Sequence, residues 1–451
     1  MKLKLSSVAI LIVVLACLTI DMGFKNWEKQ DRVIERDIHS YYAYLPAAFI
    51  YHDIHLSKSD YQFAENYWLF WPDITKDDKK VIKTTMGMAI LYAPFFFVAH
   101  AIAMLSDYPE NGFSEPYKIL LLISALFYLL VGLDFLKKIL RHFEFSDAHI
   151  AITILLIGLG TNLTAYSSES APMPHVYLFC LFSIFIYYTI KWYEFQTIIN
   201  TLIIGLLVGI ISLVRPSDII IVVFFMFYNI TSFSDLKERC LFFKRKLFFI
   251  LLMILPFLLV WAPQLIYWKI VSGNYLYSAY PNEHFFFNDP KIIDGLFGFR
   301  KGWLIYTPMM VFALAGIFLL KGILKKIRFP VILFFIINMY IIFSWWCWWY
   351  GGSFGQRSLI ESYVILAIPF AAFIKYISEK KWHYNLLFYS IALFFIGLNL
   401  FQTLQFKNML IHYDGMTKEL YFKQFGKLDR IKDFDYFVNS PDYEAAKKGN
   451  R

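Results

Sequence analysis

The sequence predicts an all-α fold, a polytopic transmembrane helical bundle of about 11–12 membrane segments. Three observations carry this. Of the 451 residues, 59% are hydrophobic and only 17% are charged, against about 45–50% and 25% in soluble domains. Apolar runs long enough to cross hydrocarbon, about 17–25 residues each, recur along the whole length. Lysines and arginines gather in short loops between those runs, where they act as topology signals. The short alternating segments of a β-barrel are not seen. The net charge of +9 follows the same loops, so no nucleic-acid partner is expected. Cys17, Cys180, Cys240 and Cys347 show no spacing for zinc or a disulfide frame.

Residues 5–21 follow Lys2 and Lys4 and read as an uncleaved first helix. No Ala-x-Ala site follows, and Val14-Leu15-Ala16-Cys17 is a poor lipoprotein box because the apolar run continues past the cysteine. Further apolar segments fall near 87–105, 117–136, 147–165, 172–190, 197–213, 217–231, 247–267, 303–320, 329–345, 359–376 and 384–405. The loops at Lys137–His142, Lys237–Lys246, Lys321–Arg328 and Lys375–Lys381 are basic and are expected at the cytoplasm. Ser167–His175, Arg215-Pro216, Trp268–Gly302 and Trp345–Arg357 then lie outside. The parity holds if 87–105 dips into the outer interface without crossing. A full crossing puts Lys137 and Arg141 outside and the acidic stretch 106–115 inside, against the charge rule; it is the alternative. Without that crossing the chain has eleven crossings. The membrane module covers 1–405, its first outer loop with interfacial helices covers 22–115, and a short extracytoplasmic tail covers 406–451.

Five stretches hold polar groups on the expected outer side. In the first loop, helical spacing puts Asp37, Tyr41, Tyr44 and Ala48 on one face and Ile38, Tyr42, Leu45 and Phe49 on another. That pattern suits a helix lying in the interface, and Pro46 kinks it or starts a second short helix. Its plain alternative is an anchor with a solvated acid. Tyr166–His175 is a turn stiffened by prolines that holds Glu169 and His175, six residues apart. Arg215-Pro-Ser-Asp218 interrupts an apolar region. An arginine facing an outer cavity clamps phosphate well, and a simple Arg215–Asp218 pair is the alternative. Arg300-Lys301 opens a helix that runs to Tyr306-Thr-Pro308, with headgroup contact as the alternative. Trp345 to Arg357 joins an interfacial tryptophan belt to Gly351-Gly352-Ser353-Phe354-Gly355, whose glycines let backbone N–H groups approach a ligand closely. No GxxxxGK, HExxH or CxxC occurs, and neither nucleotide hydrolysis, zinc-protease nor serine-hydrolase chemistry is expected.

In this order, and on one side, these pieces resemble the GT-C superfamily of membrane glycosyltransferases, which includes the protein O-mannosyltransferases and the bacterial aminoarabinose transferase type. The pieces are Asp37-Ile-His-Ser-Tyr-Tyr42 after one N-terminal helix, Lys83-Thr-Thr-Met-Gly87 through Pro94, Glu169 and His175, a glycine-bearing helix ending at Arg215-Pro216, Lys301 through Pro308, and Trp348 through Arg357. The resemblance implies a GT-C-like bundle and an inverting transfer of a sugar from a polyprenyl-phosphate-linked donor. The acceptor is a glycan, lipid or protein on the extracytoplasmic face. It implies Asp37 as general base, with Glu169 and His175 as further catalytic groups. Substrate contacts are expected from His39, Tyr41, Tyr42, Lys83, Arg215, Arg300, Lys301, Tyr306, Trp349 and Arg357, with Arg215 and Arg357 favoured on the phosphate. Membrane lipids are the other partners.

Two features depart from the family pattern. Asp37 is followed by Ile where a paired Asp-Glu is common, and Glu169 stands among serines where an Asp after a basic residue is common. No cofactor is expected. Asp37, Glu169 and His175 would ligate a divalent metal only if folding gathered them, and their spacing gives no such signal. The abundance of Lys, Ile, Phe and Tyr suits an AT-rich bacterial genome, hence a bacterial cytoplasmic membrane. A transporter or flippase of lipid-linked glycans is the alternative function. It calls for polar groups along a path through the membrane or for internal repeats, and the sequence shows neither.

Overall fold

The computed structural model describes residues 4–57 and 70–451. Lys2 and residues 58–69 of the first loop lie outside the described residues. The chain is mostly helical. Among the described residues the one regular sheet is an antiparallel pair, Asp73–Ile74 with Lys80–Val81. After α1 (Leu5–Phe24), two short helices, α2 (Arg36–Tyr42) and α3 (Tyr44–Phe49), occupy the first loop. Then follow α4 (Gly87–Met104), α5 (Glu115–His142), α6 (Asp147–Gly160), α7 (Pro174–Glu194) and α8 (Ile198–Val214). The last four long helices are α9 (Leu247–Ser272), α10 (Lys325–Ser344), α11 (Tyr363–Ser378) and α12 (Trp382–Lys407).

Eight helices among the described residues are long and apolar enough to cross a membrane, so the chain is an all-α protein of the multi-pass membrane class. Four more helical segments are apolar but shorter: α6, α8, Pro216–Phe227 and Met310–Leu319. Together they match the apolar stretches of the sequence. Their ends follow local rules. Ser146 caps α6 by accepting from His149 N at 3.2 Å, and Thr197 caps α8 by accepting from Asn200 N at 3.1 Å. Pro116 and Pro174 sit in first turns, where a helix needs no amide donor.

The basic loops meet at one end of the bundle. Ser6 Oγ donates to Asp147 Oδ1 at 2.5 Å, and Arg141 reaches the same carboxylate at 3.4 Å. His142 Nδ1 lies 3.4 Å from Glu194, Asn229 N donates to Lys326 O at 2.9 Å, and His149 Nε2 lies 3.0 Å from Ser378 Oγ. The first loop belongs to the other end, where Lys118 Nζ donates to the carbonyls of Lys29 and Gln30 at 2.5 and 3.1 Å.

α4 lies against α2 and α3. Just before it, Thr84 Oγ1 donates to Ser40 Oγ at 3.1 Å and Tyr44 donates to Thr84 O at 2.6 Å. Just after it, Tyr42 donates to Gly112 O at 2.5 Å and Tyr51 to Asn111 O at 2.9 Å. Both flanks of α4 are therefore tied to one short helix pair. Its 18 residues are long and apolar enough to cross, yet it packs as a unit with the first loop, its Phe96 and Phe97 rings against Tyr42 and Phe49 at 5.9 and 4.9 Å.

Gly87 fixes where that unit meets the rest. A Cβ there would lie 2.4 Å from Val214 N and 2.6 Å from the Leu213 carbonyl carbon. Only glycine lets α4 start in backbone contact with the end of α8, one residue before Arg215. Gly87→Val is expected to cost roughly 1–3 kcal/mol by overpacking. The check is the denaturation midpoint of the purified protein in detergent; an unshifted midpoint would refute the contact.

Candidate active site

The site is built where α2, the head of α7, the end of α8 and the turn before α11 converge. α2 opens in tension. Arg36 has φ +51°, a conformation that non-glycine residues avoid at a cost of about 1–3 kcal/mol and that clusters at functional sites. The next residue, Asp37, stands in the first turn of α2. Arg357 comes from the far end of the chain. It follows a loop in which Tyr350, Gly351 and Gly355 all have positive φ, of 55°, 64° and 58°. At Gly355 a Cβ would lie 2.9 Å from the Cβ of Tyr306, so glycine is needed for close approach as well as for φ. The loop delivers Arg357 Nη2 to 3.3 Å from Asp37 Oδ2. The Asp37 side chain is 53% exposed and that of Arg357 15%. This ion pair is wet and weak, worth about 0.2–1 kcal/mol.

Behind it lies a dry cluster. Glu361, one turn past Arg357, is buried. Its Oε1 accepts from His175 Nδ1 at 2.7 Å and from Arg215 Nη1 at 3.1 Å. Arg215 Nε lies 3.5 Å from Asp218 Oδ1, and its guanidinium sits 5.5 Å from the centroid of the Tyr350 ring. With Nδ1 donating, a neutral His175 presents Nε2 as an acceptor. Arg215 Nη2, Glu361 Oε2 and Asp218 Oδ2 are buried with no hydrogen-bond partner among the described residues. Buried polar atoms are normally satisfied, so these three are open to water or to a ligand. Tyr41 follows Asp37 by one turn of α2, and its hydroxyl feels the charges of both the pair and the cluster. Burial first, then the charge of Asp37, pushes its pKa up, while Arg357 and Arg215 oppose that rise.

The structure thus gathers Asp37, Tyr41, His175, Arg215 and Arg357. It places the other expected residues elsewhere. His39 is a core histidine, 2% exposed, stacked on Phe70 at 4.7 Å and edge-on to Phe113 at 5.3 Å. Tyr42 is buried, and its hydroxyl is held by Gly112 O. Tyr306 is buried and donates to Phe299 O at 2.7 Å. Lys301 is buried and donates to the carbonyls of Ser353 and Tyr413. Burial pushes its ammonium well below the usual lysine range, with Asp414 opposing. Arg300 donates to Asp414 O at 2.8 Å and covers the buried Trp349 ring at 5.5 Å. As placed, these six residues are structural, because their polar ends or ring faces are already engaged.

Glu169 accepts from its neighbour Ser170 at 2.5 Å. Burial pushes its carboxyl up, offset by Ser170 and then by Arg32, Lys407 and Arg36. Its charged surroundings are those residues and not His175. Lys83 lies at the rim, 3.4 Å from Glu283 and 4.5 Å from the Tyr280 ring centroid.

Residues 351–355 spell G-x-S-x-G, a motif that sequence reasoning passed over. Ser353 is nonetheless buried, and its hydroxyl is 3.3 Å from the carbonyls of both Gly351 and Gly355. It is a loop staple, with no histidine among its hydrogen-bond partners. Among the described residues, no three His, Cys, Asp or Glu side chains are grouped to hold a metal ion. No family model matches the chain, and no curated protein matches it.

Sequence reasoning put Glu361 on the outer side without giving it a role, and missed Glu283 and Tyr280. For Glu361 the signal was an acid at the head of the apolar run 359–376, where a charge needs a partner. For the two loop residues there was none. Glu361→Ala leaves Arg215 facing only Asp218 and is expected to destabilise by about 3–5 kcal/mol, while Glu361→Gln, which keeps shape and an acceptor, costs less. Equal midpoints for the two variants would refute this.

A second test is pH. Burial pushes His39 down to about 3 from an ordinary 6.5. Above pH 6.5 it is neutral folded and unfolded. Between about 6.5 and 3 only the unfolded chain takes up the proton, so stability falls as pH falls, by up to about 1.4 kcal/mol per unit. Midpoints measured at pH 7.5, 6 and 5 are expected to decline more steeply for the wild type than for His39→Phe.

Proposed function

We propose that the chain is a GT-C-like membrane glycosyltransferase that moves a sugar, with inversion, from a polyprenyl-phosphate donor to an acceptor hydroxyl. The observation that carries this is the half-exposed Asp37 carboxylate, held 3.3 Å from Arg357 beside a buried arginine with an unpartnered nitrogen. A water-accessible carboxylate suits a general base, and two guanidiniums nearby suit a leaving phosphate.

The step balances as follows. An acceptor O–H meets Asp37, and its oxygen attacks the anomeric carbon from the face opposite the phosphate. The C1–O bond to phosphate breaks, the proton passes to Asp37, and polyprenyl phosphate leaves with the bonding electron pair. Negative charge grows on the phosphate as that bond lengthens. Arg357 and Arg215 Nη2 are the groups placed to lower the energy of that charge. His175, through Glu361, holds Arg215 in place.

The grouping of basic loops at the opposite end supports an outward-facing site in a bacterial cytoplasmic membrane. A transporter or flippase would also use the buried Arg215, Glu361 and Asp218 charges. The placement of the wet pair and the dry cluster at one end favours the transferase.

Transfer from radiolabelled polyprenyl-phosphate sugars, in membranes at matched expression, tests this. Asp37→Asn is expected to lower transfer about 10²–10⁴-fold, and Arg357→Ala about 10²–10³-fold. Transfer unchanged in Asp37→Asn removes the base role. Absence of transfer by the wild type with any donor, together with counterflow of the lipid-linked sugar, would replace the transferase by the transporter.

A further inference from the structure

A second cluster stands at the rim of the site, on residues without a role in the chemistry above. The loop after α9 is fastened to the tryptophan stretch. Trp346 N donates to His284 O at 3.0 Å, and Phe285 and Trp345 form a β-bridge. This fixes the residue before His284. Glu283 Oε2 accepts from Trp346 Nε1 at 2.9 Å, and Oε1 lies 3.4 Å from Lys83 Nζ. The same ammonium stands 4.5 Å from the centroid of the Tyr280 ring, which remains 39% exposed. Thr84, the residue after Lys83, donates to Ser40 Oγ of α2 at 3.1 Å, so this rim adjoins the short helix that carries Asp37.

Carboxylate, ammonium and aromatic face side by side form a constellation with a specific fit. A carboxylate accepts from a hydroxyl, an ammonium donates to its neighbour, and charge assistance strengthens both bonds. The tyrosine offers an apolar face to the C–H side of a ring, while few but well-placed polar groups fix orientation. The charges are also balanced. Glu283 is matched by Lys83, so a sugar bearing its own charge finds no unmatched counter-ion on these three residues.

We propose that Tyr280, Glu283 and Lys83 form the subsite for the transferred sugar, and that it takes a neutral sugar with adjacent hydroxyls rather than an amino sugar or a uronic acid. This rests on the transferase assignment and goes further, by naming the sugar class and the residues that select it.

The experiment uses the full chain in nanodiscs and reads binding by tryptophan fluorescence. The probes are farnesyl phosphate alone and farnesyl phosphate linked to glucose, mannose, galactose, arabinose, 4-amino-arabinose or glucuronic acid. The expected result is that a neutral-sugar probe binds the wild type at least ~10-fold tighter than farnesyl phosphate, one such factor being about 1.4 kcal/mol. Glu283→Gln, which retains an acceptor for Trp346, and Lys83→Met are each expected to lose most of that gain and to bind farnesyl phosphate as the wild type does.

The subsite is overturned if both variants keep the gain, if they lose affinity equally for probes with and without sugar, if a charged sugar binds best, or if no sugar adds affinity in the wild type. A neutral-sugar gain that needs Glu283 and Lys83, without transfer to any acceptor, leaves the subsite standing and refutes the transferase assignment alone.

Discussion

The organisation of this end of the molecule depends on one buried carboxylate. Glu361 binds His175 from the head of α7 and Arg215 from the end of α8, and it stands at the entry to α11. The consecutive helices α7 and α8 are thereby fixed to the distant α11 by one oxygen atom. Such a charge is expensive to bury and persists only if its partners are well placed, so any movement of α7, α8 or α11 at this end leaves an ion exposed to an apolar interior. Arg357 lies on the same short turn, Arg357–Ser362. The direction in which it leaves the bundle follows from how Glu361 is held, and so does its meeting with Asp37.

The tail serves the same end by different means. Residues 408–451 fold over the tryptophan–glycine loop. Tyr413 O receives both Lys301 Nζ and Ser353 N, Asp414 O receives Arg300, and Tyr443 donates to Asp414 Oδ2 at 2.9 Å. The final side chain, Arg451, donates to the carbonyls of Ser344, Trp345 and Asp289. A loop with three positive-φ residues has no regular ladder to satisfy its backbone, and buried carbonyls need donors. Cations are strong donors, which accounts for Arg300 and Lys301 serving structure here instead of facing a phosphate. The tail therefore acts as a brace for the loop that carries Arg357.

How much of this was legible in the sequence divides along a physical line. The apolar helices were legible because crossing hydrocarbon imposes a length and a composition that each segment must satisfy alone. The Arg215–Asp218 contact was legible too, as a pair three residues apart. Contacts between distant segments were not. His175 had two outer-side acids on offer, Glu169 six residues away and Glu361 at a separation of 186; only folding selects the second. His39 reads as polar beside Asp37, yet α2 turns it toward Phe70 and Phe113, which a single helix repeat does not reveal. Arg300 and Lys301 show the general difficulty: a cation at a membrane interface has carbonyls, headgroups and phosphates available to it, and composition does not rank them.

The wet pair and the dry cluster differ in how readily they release their cations, and this bears on mechanism. Arg215 is shared by two carboxylates in an apolar setting, so it moves little. Arg357, whose Nη1 meets only the Met173 thioether at 3.9 Å, has one charged partner, Asp37, more than half exposed. A contact of that kind is worth a fraction of a kcal/mol to about 1 kcal/mol, whereas bidentate bonds from a guanidinium to a phosphate are charge-assisted and stronger. On the transferase proposal, an arriving lipid phosphate competes with Asp37 for Arg357 and wins. The carboxylate then loses its counter-ion as the donor is seated. Before donor binding the arginine holds the Asp37 carboxylate; afterwards it faces the leaving group, and the carboxylate is free to turn to the acceptor. One weak ion pair would then couple donor occupancy to activation of the acceptor hydroxyl.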